Sequence, residues 1–353
     1  MRALLSLPPR YGGLGIENPV LAAPFKYVES KELTSEQQGL ICTSAEAFPQ
    51  DRSDPSSKRA ELKNRRNRRH KALANEIWLR AKPDLKRAIE LSQERGASSI
   101  FSCIPLVKYR FAFTNKRDFT DLVRMRYRMD LRNLPRTCAC GAKYSLDHSQ
   151  VCRLGGFVHM RHDESKNLFA SLARQVYKDV EVEPPLVPLS GEELNQGANL
   201  RDDARSDVKV RGFWSNQRDA FFEFRVSYPF AATYQNQKPR KLCTHLANTR
   251  KREYEQRIRE VQDADFTPMI MLSTGSMGDQ AEMALKHLAA SIAAKRDEEY
   301  SQVCGLIRCS FAFALARSAL VCLRGTRSRS THHMDPFQFQ GVRADVAVRE
   351  CAI

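Results

Sequence analysis

Three cysteines and one histidine near the middle of the chain lie within fifteen residues of one another. Cys138, Cys140, His148 and Cys152 follow the spacing CxCx7Hx3C. Structural zinc sites take four cysteine or histidine ligands in a tetrahedron, which a CxC turn beside an Hx3C helical turn supplies. The first pair is one residue closer than the commoner CxxC, and the alternative is three buried cysteines with a surface histidine. The spacing predicts a closed, structural Zn²⁺ site that takes no part in catalysis.

A second candidate site is a pair of acidic residues, Asp207 and Glu223, in a predicted β-hairpin. The ranges 208–213 and 220–228 are rich in β-branched and aromatic residues and are separated by a polar turn. If the turn is centred on Ser215, residues whose numbers sum to about 430 face each other across the antiparallel pair. Asp207 and Glu223 satisfy that sum. Both carboxylates are therefore predicted on the same face of the hairpin.

Cations on the same predicted face complete the pattern of a metal-dependent phosphodiesterase. Side chains alternate along a strand with period two, so Lys209 and Arg225 share the face of the two acids. Two carboxylates can hold Mg²⁺ or Mn²⁺, the ion can activate water, and a cation can polarise the scissile phosphate. The alternative is an ordinary exposed sheet face with paired charges. Asp207 and Glu223 are thus candidate magnesium ligands and catalytic residues, with Arg225 as a candidate catalytic cation.

A charged helix is predicted over 245–261, after the hairpin. Lys251 in this helix could reach the scissile phosphate, and Tyr254 could orient it. The alternative is a solvated amphipathic helix, which the same charge pattern also produces. Lys251 and Tyr254 are predicted to join the catalytic residues of the hairpin.

Basic residues outside the hairpin are candidates for contacts with nucleic acid. A helix predicted over 59–94 is densely basic, which is typical either of a phosphate-contacting surface or of a solvated helix face. At the entry to a further predicted helix, 162–178, two residues could contact phosphates, and the histidine could add a metal ligand. The predicted nucleic-acid contacts are Arg65, Arg66, Arg68, Arg69, Lys71, Arg161 and His162.

The order of these motifs resembles the C-terminal part of non-long-terminal-repeat retrotransposon polyproteins that encode a restriction-like endonuclease. In that family a reverse transcriptase thumb is followed by a CCHC zinc knuckle, an Arg-His element and a PD-(D/E)xK endonuclease with a later Lys-and-Tyr helix. The matching positions are Leu7 to Ile16 (LPPRYGGLGI), Cys138 to Cys152, Arg161-His162, Ser206-Asp207, Glu223, and Lys251 with Tyr254.

The resemblance implies a Mg²⁺- or Mn²⁺-dependent DNA endonuclease that nicks target DNA to prime reverse transcription. Its implied partners are target DNA, element RNA and the upstream reverse transcriptase of the polyprotein. Ser206 replaces the family's proline, and Arg225 stands where many such nucleases have lysine. The YxDD polymerase motif does not occur in the sequence. The alternatives are a catalytically decayed nucleic-acid-binding module and a non-functional fragment of a retroelement.

The net charge also favours a polyanionic partner. Lys and Arg number 57 against 41 Asp and Glu, which gives a formal charge of +16 and a pI near 9.5. Such an excess favours salt-dependent binding to phosphate backbones, although a basic surface kept for solubility is the alternative. The apolar start is cut short at Pro8, and the stretch 311–323 is interrupted by Arg317 and is predicted to be too short to span a bilayer. We expect an intracellular, nuclear protein without membrane contacts.

The predicted elements amount to an α+β fold with a helical N-terminal region, a small zinc knuckle and a PD-(D/E)xK-like mixed α/β nuclease core. Beyond residue 156 the predicted order is αβ(β)αβα. Further predictions are a helix over 119–134, a strand over 266–272, helices over 279–296 and 305–323, and loops over 50–58 and 184–197. The predicted domains are 1–57 (polymerase thumb remnant and linker), 58–135 (basic helical region), 136–156 (zinc knuckle), 157–300 (restriction-like endonuclease domain) and 301–353 (C-terminal helix and flexible tail).

Overall fold

The protein has a mixed helix and sheet fold, as predicted. A computed structural model describes residues 1–42, 55–102, 116–188 and 197–327. The chain divides into two compact units, residues 1–93 and residues 94–353. The predicted domain boundaries stay predictions, because they depend on the assigned functions of the segments. The predicted tail beyond residue 327 and residues 189–196 of the predicted loop lie outside the described residues.

The first unit is helical. Its helices are α1 (Arg2–Ser6), α2 (Pro19–Cys42), α3 (Pro55–Arg80) and α4 (Pro83–Gln93). The single helix predicted over 59–94 was wrong, because Pro83 has no backbone N–H and cannot continue α3. Pro83 begins α4 instead, at the position where proline is best tolerated. The end of the predicted loop, 55–58, is the first turn of α3, and residues 50–54 lie outside the described residues.

Within the described residues, the second unit begins with four helices. They are α5 (Ser99–Ser102), α6 (Lys116–Arg126), α7 (Leu146–Val151) and α8 (Phe157–Ala173). The helix predicted over 119–134 ends early, because Arg128 has φ 54° and a left-handed backbone cannot extend an α-helix. The helix predicted over 162–178 begins earlier, after Gly156 at φ 71°. Both differences follow from backbone conformations that hydrophobic periodicity does not report.

A four-stranded sheet follows. Its strands are β1 (Val180–Val182), β2 (Val208–Arg211), β3 (Asp219–Ser227) and β4 (Asp265–Leu272), in spatial order β1-β2-β3-β4. The first three strands are antiparallel, whereas β3 and β4 run parallel. Val208 faces Phe222, so the predicted hairpin register is confirmed. The three-residue β1 was not predicted.

The helices that connect and cover the sheet are long. They are α9 (Pro239–Gln256), followed by a π-helical turn (Arg257–Val261), then α10 (Asp279–Arg296) and α11 (Tyr300–Arg324). The predicted helix over 279–296 is confirmed residue for residue, and the predicted strand over 266–272 is β4 with one residue added. The helix predicted over 245–261 begins six residues earlier, because Pro239 occupies a favourable first-turn position.

The main core lies on one face of the sheet. Phe222 and Phe224 of β3 pack on Phe169 of α8, with ring centroids 4.7 and 5.6 Å from that phenylalanine. Leu288 of α10 and Phe311 of α11 belong to the same buried cluster. Period-two alternation turns the intervening residues of β3 to the opposite face. That face carries the candidate acidic site.

Helix α11 is longer and more apolar than predicted. It has 25 residues with a mean hydropathy of 1.7 over its best window, so its length and composition alone would allow it to cross a membrane. In the structure 67% of that window is buried, and the helix packs against α8 and α10. This burial is typical of a core helix, which needs the same composition.

Candidate functional site

The four predicted zinc ligands converge. Cys138 Sγ lies 3.9 Å from Cys152 Sγ, and Cys140 Sγ lies 3.4 Å from His148 Nε2. All four ligand atoms lie within 4.8 Å of one another, and among the residues that the structure describes no other group of three or more Cys, His, Asp or Glu side chains does so. Tetrahedral zinc with ordinary bond lengths separates two sulfurs by about 3.8 Å, and a sulfur and a nitrogen by about 3.5 Å. The group can therefore hold a metal ion such as zinc.

Local backbone geometry brings these ligands together. Gly141 has φ 91°, which lets the chain reverse so that the Cys138 amide donates to the Ala142 carbonyl at 2.9 Å. Ser145 then caps α7, because its Oγ accepts from the His148 amide at 3.1 Å. The capped turn places His148 and Cys152 one helical turn apart on the same side.

The thiols of the group differ in their readiness to ionise. A hydrogen bond from the Ala142 amide lowers the pKa of Cys140, whereas burial raises the pKa of Cys152. Zinc binds thiolates, so metal binding must release the protons of the buried thiols. The Cys140 thiol therefore ionises more readily than the Cys152 thiol.

Asp207 directly precedes β2, and extending the register of β2 and β3 by one residue places it opposite Glu223, as predicted. The Asp207 carboxylate accepts from the Phe224 amide at 2.6 Å and lies 3.1 Å from His162 Nε2. Glu223 is 5% exposed, and its Oε1 lies 3.8 Å from Arg250 Nη1. Its Oε2 is buried and has no hydrogen-bond partner among the described residues. A buried, partnerless carboxylate oxygen is costly, so this position lacks a donor or a cation.

The pKa values around the pair also indicate a lack of positive charge beside Glu223. Burial raises the pKa of Glu223 to about 8, and the negative charge of Asp207 adds to this rise. Burial lowers the pKa of His162, but its hydrogen bonds with Asp163 and Asp207 outweigh that effect and raise it to about 10. The imidazolium is thus a cation in contact with Asp207, while no group of the described residues donates to Oε2 of Glu223.

The pair fits a hard divalent cation. Mg²⁺ and Mn²⁺ prefer oxygen ligands, and Mg²⁺ in phosphoryl-transfer sites is commonly held by one or two carboxylates together with substrate phosphates. Asp207, directly before β2, and Glu223 on β3 supply two carboxylates, and Oε2 of Glu223 is buried without a hydrogen-bond partner in the described part of the chain. The donor set is compatible with this type of ion, although the two residues alone do not form a closed cage.

A network that was not predicted lies behind His162. Asp163 Oδ1 lies 3.2 Å from His162 Nδ1 and 3.1 Å from the Nζ of Lys166, which is 3% exposed. Lys166 Nζ also donates to Glu183 Oε1 at 2.5 Å. Burial lowers the pKa of Lys166, but these acids outweigh it and raise it overall. Spacing of three and four residues along α8 is the signal that could have linked His162, Asp163 and Lys166.

Helix α9 presents Arg250, not the predicted Lys251, to the acidic pair. Arg250 follows buried Leu246 by one turn and lies on the inner face, where it reaches Glu223. Lys251 lies about 100° further around the helix and is half-buried, and it forms no ion pair in the described part of the chain. Tyr254 lies one turn beyond Arg250, and its ring stacks on Phe266 at 6.2 Å.

Lys209 and Arg225, two basic residues of the hairpin, contact groups other than the acidic pair. Arg225 lies on the predicted sheet face, but its Nη2 donates to the Tyr234 hydroxyl at 3.3 Å. Lys209 forms an ion pair with Glu181 at 2.8 Å. The predicted catalytic role of Arg225 therefore stays a prediction, whereas Arg250 forms an ion pair with Glu223.

Arg161 does not have the access that its predicted role requires. It is 2% exposed, and its guanidinium donates to the Gln150 side chain at 3.4 Å. Burial lowers the pKa of Arg161. The phosphate contact of Arg161 therefore stays a prediction, and it would require a rearrangement of the core around this buried guanidinium.

The predicted basic face of α3 is largely engaged within its own unit. Arg65 pairs with Glu32 at 3.0 Å, and buried Glu29 on α2 accepts from both Arg66 and Arg69. The remaining two predicted contacts, Arg68 and Lys71, are exposed and form no ion pair within the described ranges. Only these last two keep the free charge that the predicted phosphate contacts need.

No protein-family model matches the sequence, and no curated protein matches it. Function must therefore be inferred from the chain's own residues.

Proposed function

We propose that the protein is a metal-dependent DNA endonuclease in which Asp207 and Glu223 hold Mg²⁺ or Mn²⁺. The observation that carries the proposal is the proximity of two carboxylates, Asp207 directly before β2 and Glu223 on β3, of which Glu223 has a buried oxygen without a hydrogen-bond partner among the described residues. The four-stranded mixed sheet between helices is compatible with a PD-(D/E)xK-like nuclease core. The resemblance to retrotransposon endonucleases supplies the substrate, a target DNA strand whose nick primes reverse transcription.

Each residue of the site has a distinct proposed role. Asp207 and Glu223 would hold the divalent ion, which would supply activation of a water molecule and neutralisation of negative charge on the phosphate. Arg250, 3.8 Å from Glu223, is positioned to bind a phosphate oxygen, and its planar guanidinium suits that geometry. Tyr254, held by its stacking on Phe266, orients the phosphate. His162, backed by Asp163, orients Asp207 from the opposite side.

The other features serve binding and assembly in this proposal. Zn²⁺ in the Cys/His group stabilises the segment that precedes the nuclease core. The charge of +16 favours binding to DNA, and to element RNA, in a salt-dependent manner. The upstream reverse transcriptase of the polyprotein is the proposed protein partner, and the nucleus is the proposed location.

One observation favours a second candidate, a catalytically decayed nucleic-acid-binding module. Arg225 stands where a catalytic lysine is expected and contacts Tyr234 instead of the acids. An arginine is always charged and is a poor proton donor, so it does not replace lysine in every role. Such a module would retain the metal-binding Cys/His group and the basic surface but would cut nothing.

The deciding experiment is nicking of supercoiled plasmid by the zinc-loaded protein with Mg²⁺ or Mn²⁺. Asp207→Asn should lower the rate at least about 100-fold, equivalent to about 2.7 kcal/mol of activation free energy. Asp219→Asn is the matched control, because Asp219 lies on the same hairpin opposite Arg211, four residues from Glu223 along β3. Nicking that persists in Asp207→Asn contradicts the metal assignment. Salt-sensitive plasmid binding without nicking by the unmodified protein supports the decayed module.

A further inference from the structure

The knuckle (residues 136–156) is attached to α11 by hydrogen bonds that leave its metal ligands free. The Tyr144 hydroxyl donates to the Leu323 carbonyl at 2.6 Å, and the Gln150 amide donates to the Ala319 carbonyl at 3.0 Å. Arg327 donates to the Ser149 carbonyl at 2.9 Å. The knuckle is thus packed into the second unit and is not a separate finger on a linker.

A second attachment leads from the knuckle to the sheet. Asp147 precedes the metal ligand His148. Its carboxylate accepts hydrogen bonds from both terminal nitrogens of Arg128, at 2.6 and 2.7 Å. The Tyr228 hydroxyl donates to the same carboxylate at 2.6 Å and accepts from Arg128 at 3.0 Å. Tyr228 directly follows Ser227, the last residue of β3. The residue after β3, the strand that carries Glu223, is therefore hydrogen-bonded to Asp147, the neighbour of the metal ligand His148.

This attachment is both strong and specific. Bidentate arginine–carboxylate contacts are among the strongest hydrogen-bonded pairs in proteins, and they fix orientation as well as distance. Arg128 also lies over the Phe230 ring at 4.8 Å, which adds a cation–π contact on the β3 side. Burial raises the pKa of Tyr228, so its hydroxyl keeps the proton that it donates to Asp147.

The helix that presents Asp147 depends on the metal ligands. Helix α7 has six residues, far fewer than an isolated helix needs to be stable in water. His148 within α7 and Cys152 at its end are both ligands of the Cys/His group. A metal ion bound to His148 and Cys152 would hold the helical turn of α7 in place. Without the ion, the turn would be held by the Ser145 cap and by packing on α11.

We propose that Asp147 couples metal occupancy of the knuckle to β3, so that Zn²⁺ in the Cys/His group and a divalent ion at Asp207 and Glu223 favour each other. The second half of this coupling rests on the proposed function. Coupling between two binding sites is reciprocal, so zinc must raise the affinity for Mn²⁺ by the same factor as Mn²⁺ raises the affinity for zinc. The knuckle then regulates the acidic site as well as stabilising the unit.

The test is Mn²⁺ binding to the zinc-loaded full chain, measured by the loss of the free-ion EPR signal. Tyr228→Phe and Tyr144→Phe each remove one hydroxyl from a knuckle attachment, but only the first attachment leads to β3. We expect Tyr228→Phe to weaken Mn²⁺ binding about fivefold, a typical coupling factor, and Tyr144→Phe to leave it within twofold. Asp147→Asn should weaken it further, and Asp147→Glu should restore part of the loss.

A second measurement keeps this coupling separate from the proposed function. Zinc removal should speed amide hydrogen exchange in β3 at least tenfold, and Tyr228→Phe should reduce that difference. Mn²⁺ binding that is equal in the unmodified protein and Tyr228→Phe, with unchanged β3 exchange on zinc removal, overturns the coupling and leaves the proposed function standing. No Mn²⁺ binding by the zinc-loaded protein overturns the proposed function, and β3 exchange then decides whether the knuckle still controls the strand.

Discussion

The Cys/His group and the acidic pair are assembled in opposite ways. All four Cys/His ligands come from residues 138–152, and a glycine turn and a serine cap bring them together. The acidic pair requires two strands, and its neighbours come from α8 and α9, so its parts span residues 162–250. A local ligand set can bind its ion as soon as the segment folds. The acidic pair exists only when the whole sheet and both helices are in place.

The two sites also differ in how their charge is compensated before any ion binds. The thiols of the Cys/His group can remain protonated, so the group tolerates the absence of metal. At the acidic pair, His162 contacts Asp207, but the inner oxygen of Glu223 has no partner. Once Glu223 ionises, near pH 8, electrostatic repulsion from Asp207 is therefore stored at the second site and not at the first. The following predictions test this contrast, from the largest expected effect to the smallest.

Loss of one ligand of the Cys/His group should have the largest effect. Cys152→Ala removes a buried ligand, and we expect the melting temperature of the zinc-loaded second unit to fall by more than about 10 °C, because zinc binding contributes directly to folding. Cys243→Ala is the matched control, since Cys243 is equally buried and lies outside the group. It should cost only about 2–4 °C, the effect of a small cavity.

The measurement is thermal unfolding followed by circular dichroism, with zinc content determined in parallel. Equal losses for Cys152→Ala and Cys243→Ala would mean that the four ligands are merely buried residues. In that case the Cys/His group would not depend on an ion for its stability, and the contrast between the two sites would fail.

Removal of the buried charge at the acidic pair should have the opposite sign. With zinc present but no Mg²⁺ or Mn²⁺, Glu223→Gln should stabilise the protein at pH 8 by about 1–3 kcal/mol, because it removes a buried negative charge that Asp207 repels. The same change should abolish Mn²⁺ binding. A variant that is more stable and yet unable to bind the ion is expected only if Glu223 is held in the fold for its charge.

The pH dependence follows from the direction of the pKa shift. Glu223 ionises near 4.5 in the unfolded chain and near 8 in the folded protein, so the folded state loses stability as the pH rises between these values. The gain in Glu223→Gln should therefore be absent below about pH 4.5 and complete above about pH 8. Urea unfolding at several pH values measures it. Glu255→Gln, which breaks a surface ion pair with Arg259, should change stability by less than about 1 kcal/mol.

The features that were predicted correctly depend on short-range rules. The hairpin register followed from period-two alternation and a polar turn, so the pairing of Asp207 with Glu223 could be derived from residue numbers alone. Convergence of the four ligands between Cys138 and Cys152 followed from their spacing in the same way. The predicted helix over 279–296 has a continuous apolar pattern and a clear start, and it matches α10.

The features that were missed depend on tertiary context. Burial of Arg161 could not be derived, because it results from packing of α8 against both the knuckle and α11. The contribution of Lys166 and Glu183 required knowledge of β1, whose three residues are too short for periodicity to detect. Ion pairs of Arg66 with Glu29 depend on the pairing of α2 with α3, which a dense basic pattern does not indicate.

The smallest effect separates two adjacent cations of α9. Arg250 and Lys251 have similar charge, but only Arg250 reaches Glu223, because a helix turns about 100° per residue. We expect Arg250→Gln to lower the Mn²⁺-dependent nicking rate about 10–100-fold, because Arg250 would contact the transferring phosphate. Lys251→Gln should change the rate less than about threefold, because Lys251 would lie beside the phosphate without contacting it. The measurement is the single-turnover nicking rate at saturating Mn²⁺, with melting temperature as a check on folding. A larger loss in Lys251→Gln would mean that substrate binding turns the helix and brings the family's lysine to the phosphate. The acidic pair would then be completed by its substrate, whereas the Cys/His group is complete before it meets one.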